Sequence, residues 1–329
     1  MTDSAKTIFI YAQTTRNGDL SPVVKELGCA ALELSVKLCG AKICAVLLNK
    51  TDKAIQEIVE CGYFDILYCP SQCDFSTFST SLYSKSLINL IKQENPYIML
   101  LGATTEGRDI APRVSSALNT GLTADCISLD INEKGLLAAT RPTFGGNLMA
   151  TILCKNLPQM ATVRPNVLKI KPVEVHKNTQ VIYFNPQIND LTDEVKLIEF
   201  IKREQDKAGS LENAEVIVAG GLGMKSAEGF KLLKKLADKL GGKVGATRPV
   251  VERGWIDSSC HIGQTGKTVS PKLYIACGLS GAIQHVVGMN MSDKIIAINK
   301  DKDAPIFDVA DFGIVGDVFE ILPKLIDEI

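Results

Sequence analysis

Val216-Ile217-Val218-Ala219-Gly220-Gly221-Leu222-Gly223-Met224-Lys225-Ser226 runs from a short apolar stretch, through three closely spaced glycines, into polar residues. The apolar run has the length of a buried strand, and Ser226–Leu240 after it carries apolar residues at helical spacing. Strand, glycine turn and helix form the unit of nucleotide-binding α/β sheets, whose ligands sit at the carboxyl ends of strands. The turn approaches the dinucleotide fingerprint, with Ser226 where the third glycine belongs. A purely conformational reading competes with it, because tight strand-to-helix turns need glycine for backbone reasons.

Two more turns follow in the same third of the chain. Gly263-Gln264-Thr265-Gly266-Lys267-Thr268 ends like a phosphate-binding P-loop, but that motif needs glycine at position 261, where His261 stands. A nucleoside-triphosphatase reading fails on that spacing. Gly278-Leu279-Ser280-Gly281-Ala282-Ile283-Gln284-His285 follows the apolar run Leu273–Cys277 and opens a predicted helix, Gly281–Val287, whose free N–H groups suit a pyrophosphate. Ile295–Asn299 and the region of Gly313–Val315 read as further strands, and Val318–Ile329 as a closing helix. Three phosphate-capable turns without a catalytic acid–base pair point to a bound dinucleotide rather than a hydrolase.

The first half repeats the same rhythm. Thr7–Tyr11, Ile43–Leu48, Ile66–Cys69 and Ile98–Leu101 read as buried strands, with Ser21–Leu38, Asp52–Cys61 and Thr80–Glu94 as helices between them. Such alternation predicts a mostly parallel sheet covered by helices. Ile127–Lys171 turns β-rich, with Arg141-Pro142-Thr143-Phe144-Gly145-Gly146 expected as a turn. A charged helical segment, Asp190–Glu215, then leads to Lys202–Ser210, the best linker candidate. The fold class is therefore α/β in two domains: an N-terminal α/β domain over residues 1–203, a linker over 204–212, and a Rossmann-like C-terminal domain over 213–329.

The 36 basic and 37 acidic residues leave a net charge of -1 with no long run of either sign, which argues against nucleic acid or an anionic membrane as partner. Met1–Gln13 shows no secretory signal, and no apolar run approaches the ~20 residues of a membrane span, so a soluble, cytoplasmic protein is expected. Eight of the ten cysteines (Cys29, Cys39, Cys44, Cys61, Cys69, Cys73, Cys126 and Cys154) lie in the first half with no Cys-x-x-Cys pair. Buried thiols in a reducing compartment are expected, with no metal site.

Gly245-Ala246-Thr247-Arg248-Pro249, then Gly263–Thr268 continuing through Val269, Pro271 and Leu273-Tyr274-Ile275-Ala276, then Gly278–His285, occur in one unbroken order. Ile298-Asn299-Lys300-Asp301, Ala304-Pro305-Ile306-Phe307, Ala310-Asp311 and Gly313-Ile314-Val315 complete the series. This set resembles the FAD-binding domain of electron-transfer flavoprotein alpha subunits. Gly102-Ala103-Thr104, Gly107-Arg108-Asp109 and Arg141-Pro142 are similar to the family's N-terminal domain more loosely.

The resemblance implies FAD as cofactor and assigns its contacts position by position. Arg248 matches the arginine over the flavin ring, where a fixed guanidinium favours the negative charge of the reduced ring. Thr265 matches the hydroxyl on flavin N5, and His285 the histidine near flavin O2. Gln264, Gly266, Ser280, Gly281, Ala282 and Gln284 match contacts to the ring, ribityl chain and phosphates, and Thr247 and Gly263 belong to the same turns. Asn299 and Asp317 match contacts on the adenosine side. Leu222 stands near the cofactor where the family often has arginine, and His261 stands where glutamine is expected.

The resemblance further implies a heterodimer with a beta subunit on which the N-terminal domain packs, and a partner flavin dehydrogenase of acyl-CoA or 2-hydroxy-acid type. Pro249-Val250-Val251-Glu252, Gly254-Trp255 and Thr268-Val269 resemble members from anaerobes that bifurcate electrons from NADH using a second FAD in the beta subunit. The linker is expected to let the FAD domain swing between partners. Two other readings stand beside these: a stand-alone NAD-binding enzyme with a deacetylase-like domain, which needs a histidine in a substrate cleft, and a flavin-free regulatory subunit.

Overall fold

The computed structural model describes residues 6–143, 148–171, 177–188, 198–199 and 211–329. The chain divides into two compact units, Met1–Phe200 and Ile201–Ile329. The linker candidate Lys202–Ser210 and most of the charged segment before it lie outside the described residues.

The first unit is built on β1 (Thr7–Tyr11), β2 (Lys42–Val46), β3 (Ile66–Pro70), β4 (Ile98–Gly102), β5 (Leu122–Cys126), β9 (Gln159–Val163) and β10 (Gln180–Phe184). They form one sheet in the order β10-β3-β2-β1-β4-β9-β5, with every pairing parallel. Side chains alternate across it. Ile8, Ile10, Ile43 and Leu67 pack under α1 (Pro22–Lys37) and α2 (Asp52–Cys61). Phe9, Tyr11, Cys44 and Met99 pack under α3 (Thr80–Glu94) and α4 (Thr105–Ala117). Because both faces are covered, the strands read as continuous apolar runs, which is why they were legible in the sequence.

Helix α4 escapes periodicity because it contains Pro112 and carries Gly107 in its first turn. That glycine is required: a Cβ there would lie 1.9 Å from the Gly102 carbonyl oxygen, and its N–H is capped by the Thr104 hydroxyl at 3.1 Å.

The β-rich stretch forms a separate antiparallel sheet of β6 (Ser128–Ile131), β7 (Leu137–Thr143) and β8 (Leu148–Leu153), in that order. The expected turn at Arg141–Gly146 is corrected in part. Arg141, Pro142 and Thr143 finish β7, paired with Ala150, Met149 and Leu148, while Gly145 and Gly146 lie outside the described residues. Proline is tolerated because β6 pairs only as far as Thr140, leaving the other edge of β7 open at Pro142.

The second unit consists of β11 (Val216–Gly220), α5 (Ala227–Lys239), β12 (Lys243–Ala246), α6 (Arg248–Glu252), β13 (Leu273–Cys277), α7 (Ile283–Val286), β14 (Ile295–Asn299), β15 (Phe312–Val315) and α8 (Val318–Glu328). The strand order is β12-β11-β13-β14-β15, all parallel. This doubly wound, Rossmann-like order reverses direction between β11 and β13, the place where such sheets open a ligand crevice. Strand β12 was not expected. It is four residues long and contains Gly245, where a Cβ would press on Ile262 Cδ1 at 2.4 Å.

The two faces of this sheet differ. Val218, Ile275 and Ile298 pack with Phe230, Leu233, Val318 and Leu322 of α5 and α8. Ile217, Tyr274, Ala276 and Ala297 pack instead with Ile262, Val269, Leu279, Met289 and Ile306, which belong to turns and loops. The irregular segments are thus anchored by buried side chains of their own.

Candidate functional site

All five strands of the second sheet point the same way, so their carboxyl ends share one edge, and most of the expected site residues stand there. Thr247 and Arg248 follow β12, Leu222 follows β11, Ser280, Gly281 and Ala282 follow β13, Asn299 ends β14, and Asp317 follows β15. Gly263, Gln264, Thr265 and Gly266 join them through a parallel bridge between Ala246 and His261, which extends the β12 side.

At the point of reversal, two glycine turns lie directly on one another. Gly223 N–H donates to the Gly278 carbonyl at 2.8 Å, and Gly221 N–H to that of Cys277 at 3.1 Å. A Cβ on Gly223 would stand 2.7 Å from both Cα and the carbonyl oxygen of Gly278, and one on Gly221 2.5 Å from Leu279 Cβ. Gly278 has φ +56° and Gly281 φ +82°, and a Cβ on Gly281 would stand 2.3 Å from Ile306 N. No other residue closes these contacts.

The expected helix over Gly281–Val287 is shorter than predicted, being the single turn Ile283–Val286 capped by Ala282. A macrodipole of that length is small, so the useful feature is the row of backbone amides before the first helical bond, from His285 N–H to the Ala282 carbonyl. Ser280, Ala282, Ile283 and Gln284 are exposed around it.

The Gly263 turn is locked to this short helix. Gln264 N–H donates to the Gln284 carbonyl at 2.7 Å, Val269 N–H to Gly288 at 2.8 Å, and Gly263 N–H to Lys267 at 3.1 Å. Gln264, Thr265 and Gly266 are left exposed at its tip.

His285 is held from within the second unit. Its ring is buried, with Nδ1 3.0 Å from the Ile262 carbonyl and Nε2 2.9 Å from the Tyr274 hydroxyl. A carbonyl only accepts, so Nδ1 carries the proton and Nε2 accepts from Tyr274. Burial pushes the imidazole down to about 4, with a smaller push from His261 against the Ile262 hydrogen bond, so it is neutral at pH 7. Both ring nitrogens are engaged within the protein. Tyr274, its partner, is wholly buried and was read from sequence only as a strand residue.

Arg248 is exposed and bonds Glu252 one helical turn on, at 2.7 Å. His261 lies beside it: a Cβ on Gly266 would stand 2.7 Å from the His261 ring, and burial followed by the Arg248 charge lowers the imidazole below its ordinary value. Asn299 ties the edge together, its amide donating to the Leu279 carbonyl at 2.9 Å. Asp317 caps α8 through Phe319 N–H at 2.8 Å and pairs with Lys225 at 3.6 Å. Leu222 is exposed on the β11 turn. Trp255 is half-buried and packs against the core, with Arg253 over its ring.

The edge therefore offers a cradle of close-packed glycine turns, free amides, one exposed guanidinium and several exposed amide and hydroxyl groups, which suits an extended dinucleotide with a conjugated ring. Among the described residues, no group of three or more His, Cys, Asp or Glu is placed to hold a metal, and no helix is long and apolar enough to cross a membrane.

Comparison with known proteins agrees with this geometry. The family model described as electron transfer flavoprotein FAD-binding domain matches residues 210–290, and that for the electron transfer flavoprotein domain matches residues 8–188. The chain is 48% identical over 326 residues to the electron transfer flavoprotein subunit alpha of Thermoanaerobacterium thermosaccharolyticum, covering 98% of each chain. It is 47% identical to Protein FixB of Clostridium saccharobutylicum, covering 98% of this chain and 95% of the relative. A relative from Anaerotignum propionicum, the acryloyl-CoA reductase electron transfer subunit beta, is 40% identical over 88% of this chain and 87% of its own. With two domain models in sequence and relatives matched end to end, the chain belongs to the electron-transfer flavoprotein alpha-subunit family, whose cofactor is FAD.

Proposed function

We propose that the second unit holds its FAD on the shared carboxyl edge and that the chain serves as the alpha subunit of a heterodimer, passing electrons between that flavin and a partner dehydrogenase. The observation that carries this reading is the crevice between β11 and β13, where Gly223 and Gly278 touch backbone to backbone and the Ser280–Gln284 amides lie beside them. FAD, when bound, supplies the one- and two-electron chemistry. The chain's own residues bind, orient and tune. The Gly221–Gly223 and Gly278–Ala282 turns admit the pyrophosphate, Asn299 and Asp317 stand on the adenosine side, and Gln264, Thr265 and Gly266 present the ring-facing turn. Arg248 is the charge that favours electrons on the ring. His285 acts at one remove: with Tyr274 and Ile262 it fixes the turn against the short helix.

The domain limits in this proposal are 1–203 for the part that packs on the beta subunit, 204–212 for the linker and 213–329 for the FAD domain. The electron donor or acceptor is a flavin dehydrogenase of acyl-CoA or 2-hydroxy-acid type, and the motif around Pro249–Trp255 favours a complex that bifurcates electrons from NADH. The Anaerotignum relative, named as an electron transfer subunit of an acryloyl-CoA reductase, supports the acyl-CoA arm. A deacetylase-like NAD enzyme is disfavoured because His285 is buried between Tyr274 and Ile262 rather than in a cleft. A flavin-free subunit is disfavoured by the intact glycine cradle.

Counting FAD in the purified heterodimer with the beta subunit of the same genome tests the proposal. Two per heterodimer supports bifurcation, one supports a simple carrier, and none contradicts the proposal. Arg248→Ala tests the tuning role. Its ion pair with Glu252 lies on an exposed helical turn, so folding stability should change by less than about 1 kcal/mol. FAD is retained while the flavin reduction potential falls, by the equivalent of roughly 1–4 kcal/mol for a charge within about 4 Å. An unchanged potential in a redox titration refutes that role.

A further inference from the structure

The second unit holds two histidines, and they are placed very differently. His285 is buried with both ring nitrogens tied, to the Ile262 carbonyl and the Tyr274 hydroxyl, so it keeps one protonation state. His261 is only half-buried and ends a short 3-10 turn, Ser258–Cys260. Its backbone is fixed on both sides. The His261 carbonyl accepts from Lys267 N–H at 2.8 Å, and the His261 N–H donates to the Ser258 carbonyl at 3.1 Å. The imidazole lies against Gly266: a Cβ on that glycine would stand 2.6 Å from the His261 carbonyl oxygen and 2.7 Å from Cγ and Nδ1 of its ring. Glycine therefore keeps this turn pressed on the imidazole. Among the described residues, no hydrogen bond or ion pair engages either ring nitrogen of His261.

Gly266 belongs to the exposed tip Gln264–Gly266, and the bridge from His261 goes to Ala246, two residues before Arg248. The imidazole thus sits between that tip and the start of α6. The charged and titratable groups around it are Arg248 and Glu252 of α6, paired with each other at 2.7 Å, Lys267 across its own turn, Asp257 before the 3-10 turn, and His285, bonded to the carbonyl of Ile262 next in the chain. Cys260 beside it stays an uncharged thiol, because burial pushes it up. Burial first, then the Arg248 charge, hold the His261 imidazole below its ordinary value, with Glu252 working against them. The ring is neutral at pH 7, and its half-exposure leaves it in exchange with water.

We infer that His261 is a redox-coupled proton acceptor, taking a proton from water when the bound flavin is reduced and returning it when the electrons leave. This rests on the reading above that the Gln264–Gly266 tip faces the flavin ring. Negative charge arriving beyond the tip attracts a proton to the nearest side chain able to change its own charge. Arg248 is always charged and cannot respond. His285 is tied and buried, which leaves His261. One electron from the donor rests on the flavin and one proton from water on a nitrogen of His261. A second electron brings its own proton to the flavin, and no bond joins His261 to it. Arg248 supplies a constant charge and His261 one that appears only with the electron, so the net charge of the site is the same before and after. An opposite charge within about 4–6 Å raises proton affinity tenfold or more, and half-exposure places His261 at the lower end of that range.

The test is a pH titration of the FAD-loaded heterodimer in which the alpha chain alone carries isotope-labelled histidine, followed by its ring resonances in the oxidised and the dithionite-reduced protein. His261→Gln identifies the His261 signal by its loss. The proton affinity of His261 should be at least tenfold higher in the reduced protein. Potentiometry gives a second readout: between the two His261 titration points, the one-electron potential of the wild type should fall more steeply with pH than that of His261→Gln, a tenfold change in affinity being worth about 59 mV for one electron. A ring that only props the turn shows neither effect. A His261 signal that moves on FAD binding but titrates alike in both redox states overturns the inference and leaves the FAD site standing. A signal unmoved by bound FAD overturns the reading of the site as well. Should His261→Gln not fold, through-bond assignment of the wild-type signal decides the same question.

Discussion

Gly223→Val leaves the alpha chain without its FAD. The new Cβ would stand 2.7 Å from the Cα and carbonyl oxygen of Gly278, and neither is the end of a flexible side chain that could swing aside. The β11 and β13 turns must separate, breaking the Gly223 N–H bond to the Gly278 carbonyl at the reversal point of the sheet. Overpacking of this kind costs roughly 1–3 kcal/mol in stability. Its effect on binding is larger, since the displaced backbone is itself the cradle, and FAD affinity should fall at least 100-fold, by about 3 kcal/mol or more. Gly254→Ala makes the contrast. Gly254 has φ +70° with nothing within 4 Å of a new Cβ, so that variant should lose roughly 1–2 kcal/mol of stability and keep its FAD. The ratio of flavin to protein absorbance, with calorimetric titration of the apoprotein, reads both outcomes. FAD retained by Gly223→Val places the cofactor elsewhere.

The second large effect concerns pH. His285 is neutral in the folded protein, its imidazole held down to about 4 chiefly by burial. In the unfolded chain it titrates near 6.5, so below that pH the unfolded state binds the extra proton first. The stability contributed by the neutral ring is complete above roughly pH 7 and is lost as the pH falls from 6.5 towards 4, amounting to roughly 3 kcal/mol by pH 4. His285→Gln should flatten this part of the stability–pH curve of the second unit, and a curve as steep as the wild type's contradicts the assignment. Tyr274→Phe keeps the ring packing but strips the donor from Nε2, leaving a buried acceptor unpaired at a cost of about 1–3 kcal/mol. In the wild type, ring resonances should report the Nδ1–H tautomer and no titration above pH 5.

Much of the fold was readable because the two larger sheets are parallel and covered on both faces. Their strands are therefore apolar throughout, and Thr7–Tyr11, Val216–Gly220 and Leu273–Cys277 stand out. Elements whose sequence serves a backbone constraint were hidden. Gly107 and Pro112 mask α4, Gly245 masks β12, and Pro142 mimics a turn inside β7 because that stretch of the strand has an open edge.

The site was legible in its residues but less so in their roles. Glycine turns announce close approach, and Gly223 and Gly278 duly meet, though nothing local to either predicts the other as its partner. The role of His285 is set by Tyr274 and Ile262, which lie 11 and 23 residues away and become neighbours only through the packing of the loops on β13. Arg141 likewise has a motif in sequence, but its place in β7 opposite Ala150 is visible only in three dimensions.

The most direct measurement is electron density for the FAD-loaded heterodimer. The account predicts pyrophosphate between the Gly221–Gly223 and Ser280–Gln284 turns, with the flavin ring beside Arg248 and Thr265. Density showing that edge of the second sheet empty, with FAD bound only by the beta subunit, contradicts it.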